Sequence, residues 1–428
     1  MMWISFSAYK PAQKNTSEEV KNLFLKNTEN FHNKCEELAN VIQLLQQNQT
    51  SIQNAKKTFI STKQSYKSIE FLLEYLDPDL AKSMNGAPVP SIEVDNAEYL
   101  RLGNLEPSFA LISPEGLQVI EEIIFADTID QQELSKAIPI SHSLVEKSAM
   151  FIESIGNQPL SEKQILESLR EQIIRVMTMG ITGFDAPAAG NEMSNTALSL
   201  QALLDVTNIL KTSAKGSNLK LLDMATDQLE NAINYLNKNT DFDTFDRLYF
   251  TRELANPIFK TFTLLQAAYI NYPKNALVTN PINNKADNIF SKDFLIPAFY
   301  AKQDQQVANN KMIELGKTLF FDPVLSSNNE RACASCHSPE KAFTDGLEKS
   351  MAFDFKGNLV RNSPTLLNAV FTKSYFWDGR VEYLQDQVPD VVLNKVEFHN
   401  TFKNIVEKLN TSAAYMQLFK NAFKRARW

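Results

Sequence analysis

Glycine is scarce in this chain: 12 of 428 residues, about 3% where roughly 7% is usual. So small a supply of turn-forming residues, beside many Leu, Lys, Glu and Gln, argues against a turn-rich β fold and for helices. An excess of basic charge is also missing. Lys and Arg number 43 against 50 Asp and Glu, for a net charge of −7. No long basic run occurs, which weighs against nucleic acid as the main partner, since phosphate binding needs clustered cations. No apolar stretch approaches the roughly 18 residues of a membrane-spanning helix. Cysteines are only three, Cys35, Cys333 and Cys336, too few and too odd in number for a disulfide framework. The start, Met1 to Ala8, is apolar but lacks a charged region and a full hydrophobic region. It is not a complete signal peptide, and reads as a mature-like start or as a chain that has lost its export signal.

What is present is globular: 43% hydrophobic and 22% charged residues, close to the soluble average. At about 150 residues per domain the length suggests two or three domains. The predicted class is mainly α. Residues 1–270 read as a helical bundle, 271–295 as a linker, and 296–428 as a loop-rich α-helical domain. In the first part, apolar positions begin to recur at three- and four-residue steps in Val20-Lys21-Asn22-Leu23-Phe24-Leu25 and continue through Phe31, Leu38, Val41, Ile42, Leu44 and Leu45. A second helix covers 51–76 and stops before Pro78. Gly86 to Pro107 reads as a polar connection, and Ser113-Pro114-Glu115 as a helix start. Further helices are expected near 129–136, 140–154, 161–178, 194–213, 217–237 and 242–267. Asn271-Tyr272-Pro273 and Asn280-Pro281 are turn signals. Beyond them, short helices are expected near 306–320, 380–388 and 401–424.

Cys333-Ala334-Ser335-Cys336-His337 is the most informative segment. C-x-x-C-H is the attachment signal for c-type haem (heme c). Two thiols at this spacing reach the two vinyl groups of one haem, and the adjacent imidazole is presented to the iron as an axial ligand. A zinc site would need a further Cys or His pair at ligand spacing; Cys35 is far up the chain and His399 stands alone. A thioredoxin-like dithiol would need a βαβ context, and none is evident. Cys35 reads as a buried small hydrophobe, and His32 and His142 as surface or packing residues.

The flanks of this motif carry a resemblance. Leu315-Gly316-Lys317-Thr318-Leu319-Phe320-Phe321-Asp322-Pro323 precedes it. Ala342-Phe343-Thr344-Asp345-Gly346, Arg361-Asn362-Ser363-Pro364 and Phe376-Trp377-Asp378-Gly379-Arg380 follow. Over about 310–425 this ordered set resembles the first haem domain of bacterial di-haem cytochrome c peroxidases, the family that includes MauG-type enzymes. The resemblance implies a periplasmic or cell-envelope enzyme that reduces hydrogen peroxide to water with electrons from a small cytochrome c, and it allows a homodimer. His337 matches the proximal haem ligand. Glu397 matches the catalytic glutamate, Gln387 the distal glutamine and Asn394 the family's asparagine. Trp377 matches the tryptophan between the two haems, and Asn362 an asparagine near a calcium site. The chemistry suits Glu397 independently, because peroxide cleavage needs one group that takes a proton from the near oxygen and returns it to the far one. A carboxylate between Val396 and Phe398 can have its pKa raised for that task.

The sequence departs from the family in places. The loop Met351 to Gly357 has no histidine where many members carry a haem-capping one, so the resting haem is expected to be open. Val391 and Phe398 replace a proline and a methionine of the distal pocket. Only one C-x-x-C-H is present, and the chain reads as a piece that stops before a second haem domain. In the first part, Gly116-Leu117-Gln118-Val119-Ile120-Glu121 resembles the G-x-H-x-x-E motif of imelysin-like helical domains, with Gln118 in place of histidine. Two rival functions stand beside the peroxidase. One is a MauG-like haem oxidase. The other is a non-enzymatic electron-transfer or binding module, for which Met351 and Met416 are candidate sixth ligands.

Overall fold

The computed structural model describes residues 15–95, 108–272, 280–300 and 309–423. The apolar N-terminal start, the middle of the 271–295 segment and the last residues lie outside them. The described part is mainly α, as expected, and none of its helices is long and apolar enough to cross a membrane.

The first compact unit takes residues up to Ser91, Ile112–Ala276 and Asn283–Phe294. Helix α1, Thr16–Gln46, buries Phe24, Thr28, Phe31, Cys35, Leu38, Ile42 and Leu45. These alternate at four- and three-residue steps and so form one continuous seam. The seam packs along α2, Ile52–Lys67, and α6, Gln131–Gly156. Between them come α3, Glu70–Leu76, α4, Pro78–Asn85, and α5, Leu117–Phe125. The bundle continues with α7, Glu162–Arg175, α8, Glu192–Lys211, α9, Gly216–Lys238, and α10, Asn256–Tyr269.

Four expectations need correction here. The single helix expected over 51–76 is two, α2 and α3, parted at Ser68-Ile69. The two helices expected at 129–136 and 140–154 are one helix, α6, with Pro139 inside it. Leu134, Ala137, Ser141 and Leu144 are buried on both sides of the proline, and this packing outweighs the one lost backbone bond. The Ser113-Pro114-Glu115 start gives way to a helix opening at Leu117. Gly116 has φ +97°, and a Cβ there would lie 2.6 Å from the backbone of Met84, so only glycine turns the chain into α5. The segment from Gly86 to Pro107 is not wholly loop: β1, Ser91–Asp95, pairs with β2, Ser108–Ile112, in a two-stranded ribbon.

The second unit takes Ile92–Leu111, Leu277–Ile282 and the chain from Leu295 onward. Its helices are α11, Asn310–Phe321, α12, Val388–Leu393, α13, Phe402–Thr411, and α14, Ala413–Phe423. The long stretch between α11 and α12 is loops and single 3₁₀ turns. Two small apolar clusters support it. One joins Leu315, Tyr415 and Ala422 from α11 and α14. The other joins Val392, Phe398 and Ile405, with Cys333, Leu325 and Leu409 packed against it.

Candidate haem site

Cys333–Ser335 forms one 3₁₀ turn, and the backbone N–H of both Cys336 and His337 returns to the carbonyl of Cys333, at 3.1 and 3.0 Å. The turn is held from below by Ala332 N–H donating to Ser335 Oγ at 3.0 Å. It presents two free, partly buried thiols and the imidazole in succession. Burial pushes the Cys333 thiol up to about 11. Burial also raises Cys336, against the nearby charge of Arg331.

The imidazole is oriented by the loop that follows. Ala342 and Phe343 both have positive φ, 53° and 58°, which folds the chain back so that Phe343 N–H reaches Ser338 O at 2.8 Å. The Phe343 carbonyl then sits 3.0 Å from His337 Nδ1. A carbonyl can only accept, so Nδ1 carries the proton and Nε2 keeps the lone pair that ligates a metal. Buried Ser363 adds its hydroxyl at 3.1 Å from Nδ1 and 3.4 Å from Nε2. A haem iron ligated through Nε2 fits this arrangement, and the thiols fit its covalent attachment.

Glu397 is brought to the same neighbourhood by lacing between loops. Ser327 N–H donates to Phe398 O at 3.0 Å, and Phe353 N–H to Val396 O at 2.8 Å. Asn400 Nδ2 donates to Leu325 O at 2.8 Å. Lys408 of α13 holds the 326–329 turn through Ser326 O at 2.7 Å and Asn329 Oδ1 at 2.8 Å. The charge of Glu397 is felt at the Cys336 thiol. Asn394 Nδ2 donates to Glu397 Oε1 at 2.7 Å, and Glu397 N–H donates to Asn394 O at 3.1 Å. Burial raises the Glu397 carboxyl above its ordinary value, opposed by the Asn394 bond and by Arg331.

The remaining expected residues are spread more widely. Gln387 ends the 3₁₀ turn Leu384–Gln387 and is half-buried; no hydrogen bond joins it to Glu397 among the described residues. Trp377 is 70% exposed, with the Arg361 guanidinium 4.1 Å from its ring centre. Arg380 anchors the same loop, bonding Asp378 and Asp390 and stacking on Phe376 at 3.8 Å. Asn362 is exposed, as is Met351, and Met416 is half-buried on α14. Among the described residues, no group of three His, Cys, Asp or Glu converges as a metal site.

In the helical unit, Gln118 and Glu121 of α5 are fully buried. Gln118 Nε2 donates to Asn85 O at 2.8 Å. Glu121 accepts from the backbone of Ala188 and Ala189, and Lys63 Nζ lies 3.6 Å away. His32 is a packing residue, with Ser148 Oγ 2.9 Å from its Nδ1. Sequence reasoning missed Ser363 and Arg331. No spacing rule marks either: Arg331 adjoins the motif in sequence, but only the fold shows it buried, and only the fold brings Ser363 to His337.

Residues 310–427 match the family model described as di-haem cytochrome c peroxidase, which bears out the resemblance read from the sequence. The chain is 35% identical over 131 residues to cytochrome c551 peroxidase of Pseudomonas aeruginosa, covering 31% of this chain and 38% of that protein. It is 36% identical over 111 residues to the methylamine utilization protein MauG of Methylorubrum extorquens, covering 26% and 31%. It is 37% identical over 116 residues to cytochrome c551 peroxidase of Nitrosomonas europaea, covering 27% and 34%. The chain thus spans well under half the length of these relatives. A solved imelysin-like protein from Psychrobacter arcticum aligns with TM-score 0.43 and 13% identity, covering 62% of this chain and 95% of that one; likeness at this level fixes neither fold nor function.

Proposed function

We propose that residues 296–428 form a c-type haem peroxidase domain, corresponding to the first haem domain of the di-haem enzymes. It would reduce hydrogen peroxide to water with electrons from a small cytochrome c. The observation that carries this reading is the His337 imidazole. It directly follows two free thiols at attachment spacing, and its Nδ1 proton is committed to Phe343 O.

Cys333 and Cys336 would hold the haem by thioethers, and His337 would ligate its iron through Nε2. When bound, the haem supplies the electrons that split the peroxide O–O bond. The protein's part is to move the proton. Glu397 accepts it from the near oxygen and returns it to the far one, so that water can leave. The Asn394 amide keeps Oε1 of Glu397 in place, leaving Oε2 for the substrate. Gln387 steadies the peroxide by hydrogen bonding, and exposed Trp377 marks the face through which electrons enter. Asn362 would lie near a calcium ion, as the family's matching asparagine does. Attachment of this kind takes place outside the cytoplasmic membrane, so the working compartment is the periplasm or cell envelope. Residues 1–270 form a separate helical domain joined by the 271–295 linker, and a homodimer belongs to the same reading.

Expression with an export signal and a haem-attachment system tests the proposal. The product should keep haem-linked peroxidase staining after denaturation. Complete loss of haem, with Cys333 and Cys336 still free thiols, would reject it. The match to MauG at similar identity supports a second reading, a haem oxidase acting on a protein or organic substrate. Peroxide turnover with reduced cytochrome c separates the two.

A further inference from the structure

Arg331 stands two residues before Cys333 and is 2% exposed, among the largest fully buried side chains of the protein. Its Nη2 donates to the carbonyls of Met351 at 2.7 Å and Ala352 at 2.9 Å. The guanidinium lies 5.0 Å from the centre of the Phe355 ring. Its Nε and Nη1 are buried with no partner, which leaves three of the five N–H donors unanswered. Burying a guanidinium without a bonded counter-ion is costly, and among the described residues no carboxylate bonds to this one. It stands two residues before the first attachment cysteine, and the 351–352 loop that it grips is laced to the segment before Glu397 through Phe353 N–H to Val396 O at 2.8 Å, so it sits among the groups of the candidate haem site. Oε1 of Glu397 is already engaged by Asn394. The two backbone carbonyls satisfy hydrogen bonds but bring no negative charge.

We propose that Arg331 anchors a propionate carboxylate of the haem held by Cys333, Cys336 and His337. The inference rests on the haem reading above and deepens it. Carboxylate is the acceptor that charge-assisted guanidinium bonding favours, and the haem carries two. The competing role is structural, in which Arg331 only pins the 351–352 backbone. That role uses Nη2 alone and would leave the propionate bands untouched when Arg331 is changed.

The test uses the full chain matured with covalent haem, compared with Arg331→Lys and Arg331→Met. Pyridine haemochrome assay gives haem content, resonance Raman gives the propionate bending bands, and redox titration gives the midpoint potential. The wild-type spectrum should show one propionate at a strongly hydrogen-bonded frequency. Arg331→Lys should shift that band while holding the potential near wild type, because the charge remains. Arg331→Met should lose the band. At the wild-type midpoint its reduced-to-oxidised ratio should fall by about tenfold or more, the scale of losing a hydrogen-bonded charge partner. Unchanged bands and potential in both variants would overturn the assignment while leaving covalent haem intact. If Arg331→Met does not mature, the wild-type and Arg331→Lys spectra decide: two unbonded propionates in the wild type overturn it. Free thiols and no haem in the wild-type chain would overturn the underlying haem reading, and this inference with it.

Discussion

Glu397 and Asn394 show how much of a buried carboxylate's behaviour is set by its neighbours. Burial favours the protonated form of Glu397, and the Asn394 amide favours the ionised one. As a base toward peroxide, Glu397 must be ionised, so the rate should fall as pH drops through its raised pKa. Asn394→Ala removes a stabiliser of the anion and should move that acid limb to higher pH. Glu397→Gln should lower the rate of reaction with peroxide by about 100-fold, the usual scale for a positioned acid–base group, with haem content unchanged. Stopped-flow pH profiles of the three proteins check both outcomes; coincident profiles would make Glu397 a bystander. Much of this site was legible before the fold, because C-x-x-C-H is a local signal and Glu397 follows Gln387 in an ordered run of motifs. Ser363 and Arg331 were not legible, since their roles depend on loops that the left-handed residues Ala342, Phe343 and Phe355 turn back on the motif.

Helices were the easiest elements to read, and α1 explains why. Its buried residues repeat at the period of the helix itself, so the pattern alone identifies the inward face. The ribbon of β1 and β2 was missed because each strand has only five residues: the alternation of β1 is too brief to stand out from its polar surroundings, and β2, Ser108-Phe109-Ala110-Leu111-Ile112, is a short apolar run that does not alternate. Equally hidden was the charge buried between helices. Lys67 of α2 donates to Glu70 of α3 at 2.6 Å and to Asp185. Glu70 also accepts from Gln172 of α7 at 2.6 Å and from Ser199 of α8 at 3.0 Å. Burial alone would raise the Glu70 carboxyl, but Lys67, Arg175 and these hydrogen bonds hold it at about 2. A depressed carboxylate stabilises the fold above its unfolded pKa, and the contribution is lost as pH falls from about 4.5 toward about 2. Lys67→Met leaves Glu70 and Asp185 without their shared cation. It should cost about 3–5 kcal/mol in urea unfolding at neutral pH and weaken the acid dependence of stability. A change within about 0.5 kcal/mol would mean that water replaces the lysine.

The molecule as a whole joins two units that reach stability by different means. The helical unit carries a long apolar seam and many fully buried aromatic and aliphatic side chains, Phe24, Phe31, Phe59, Phe250, Phe259 and Phe262 among them. The C-terminal unit has two small clusters centred on Leu315 and Val392, and much of its chain is loop. A group that fills such a unit and is bonded to Cys333 and Cys336 adds buried apolar area and removes unfolded-state freedom at once. The helical unit gains neither. Calorimetry of the haem-loaded chain and of Cys333→Ala/Cys336→Ala should therefore show one transition common to both, from the helical unit. A second should move upward with haem. For a domain of roughly 150–250 residues each 1 kcal/mol shifts the midpoint by about 2–4 °C, so a haem contribution of several kcal/mol should be resolved. The single C-x-x-C-H of this sequence predicts a loading of one haem per chain, which the haemochrome assay checks. Equal movement of both transitions would mean that the two units unfold as one, and the helical unit would then belong to the haem domain's stability rather than stand apart from it.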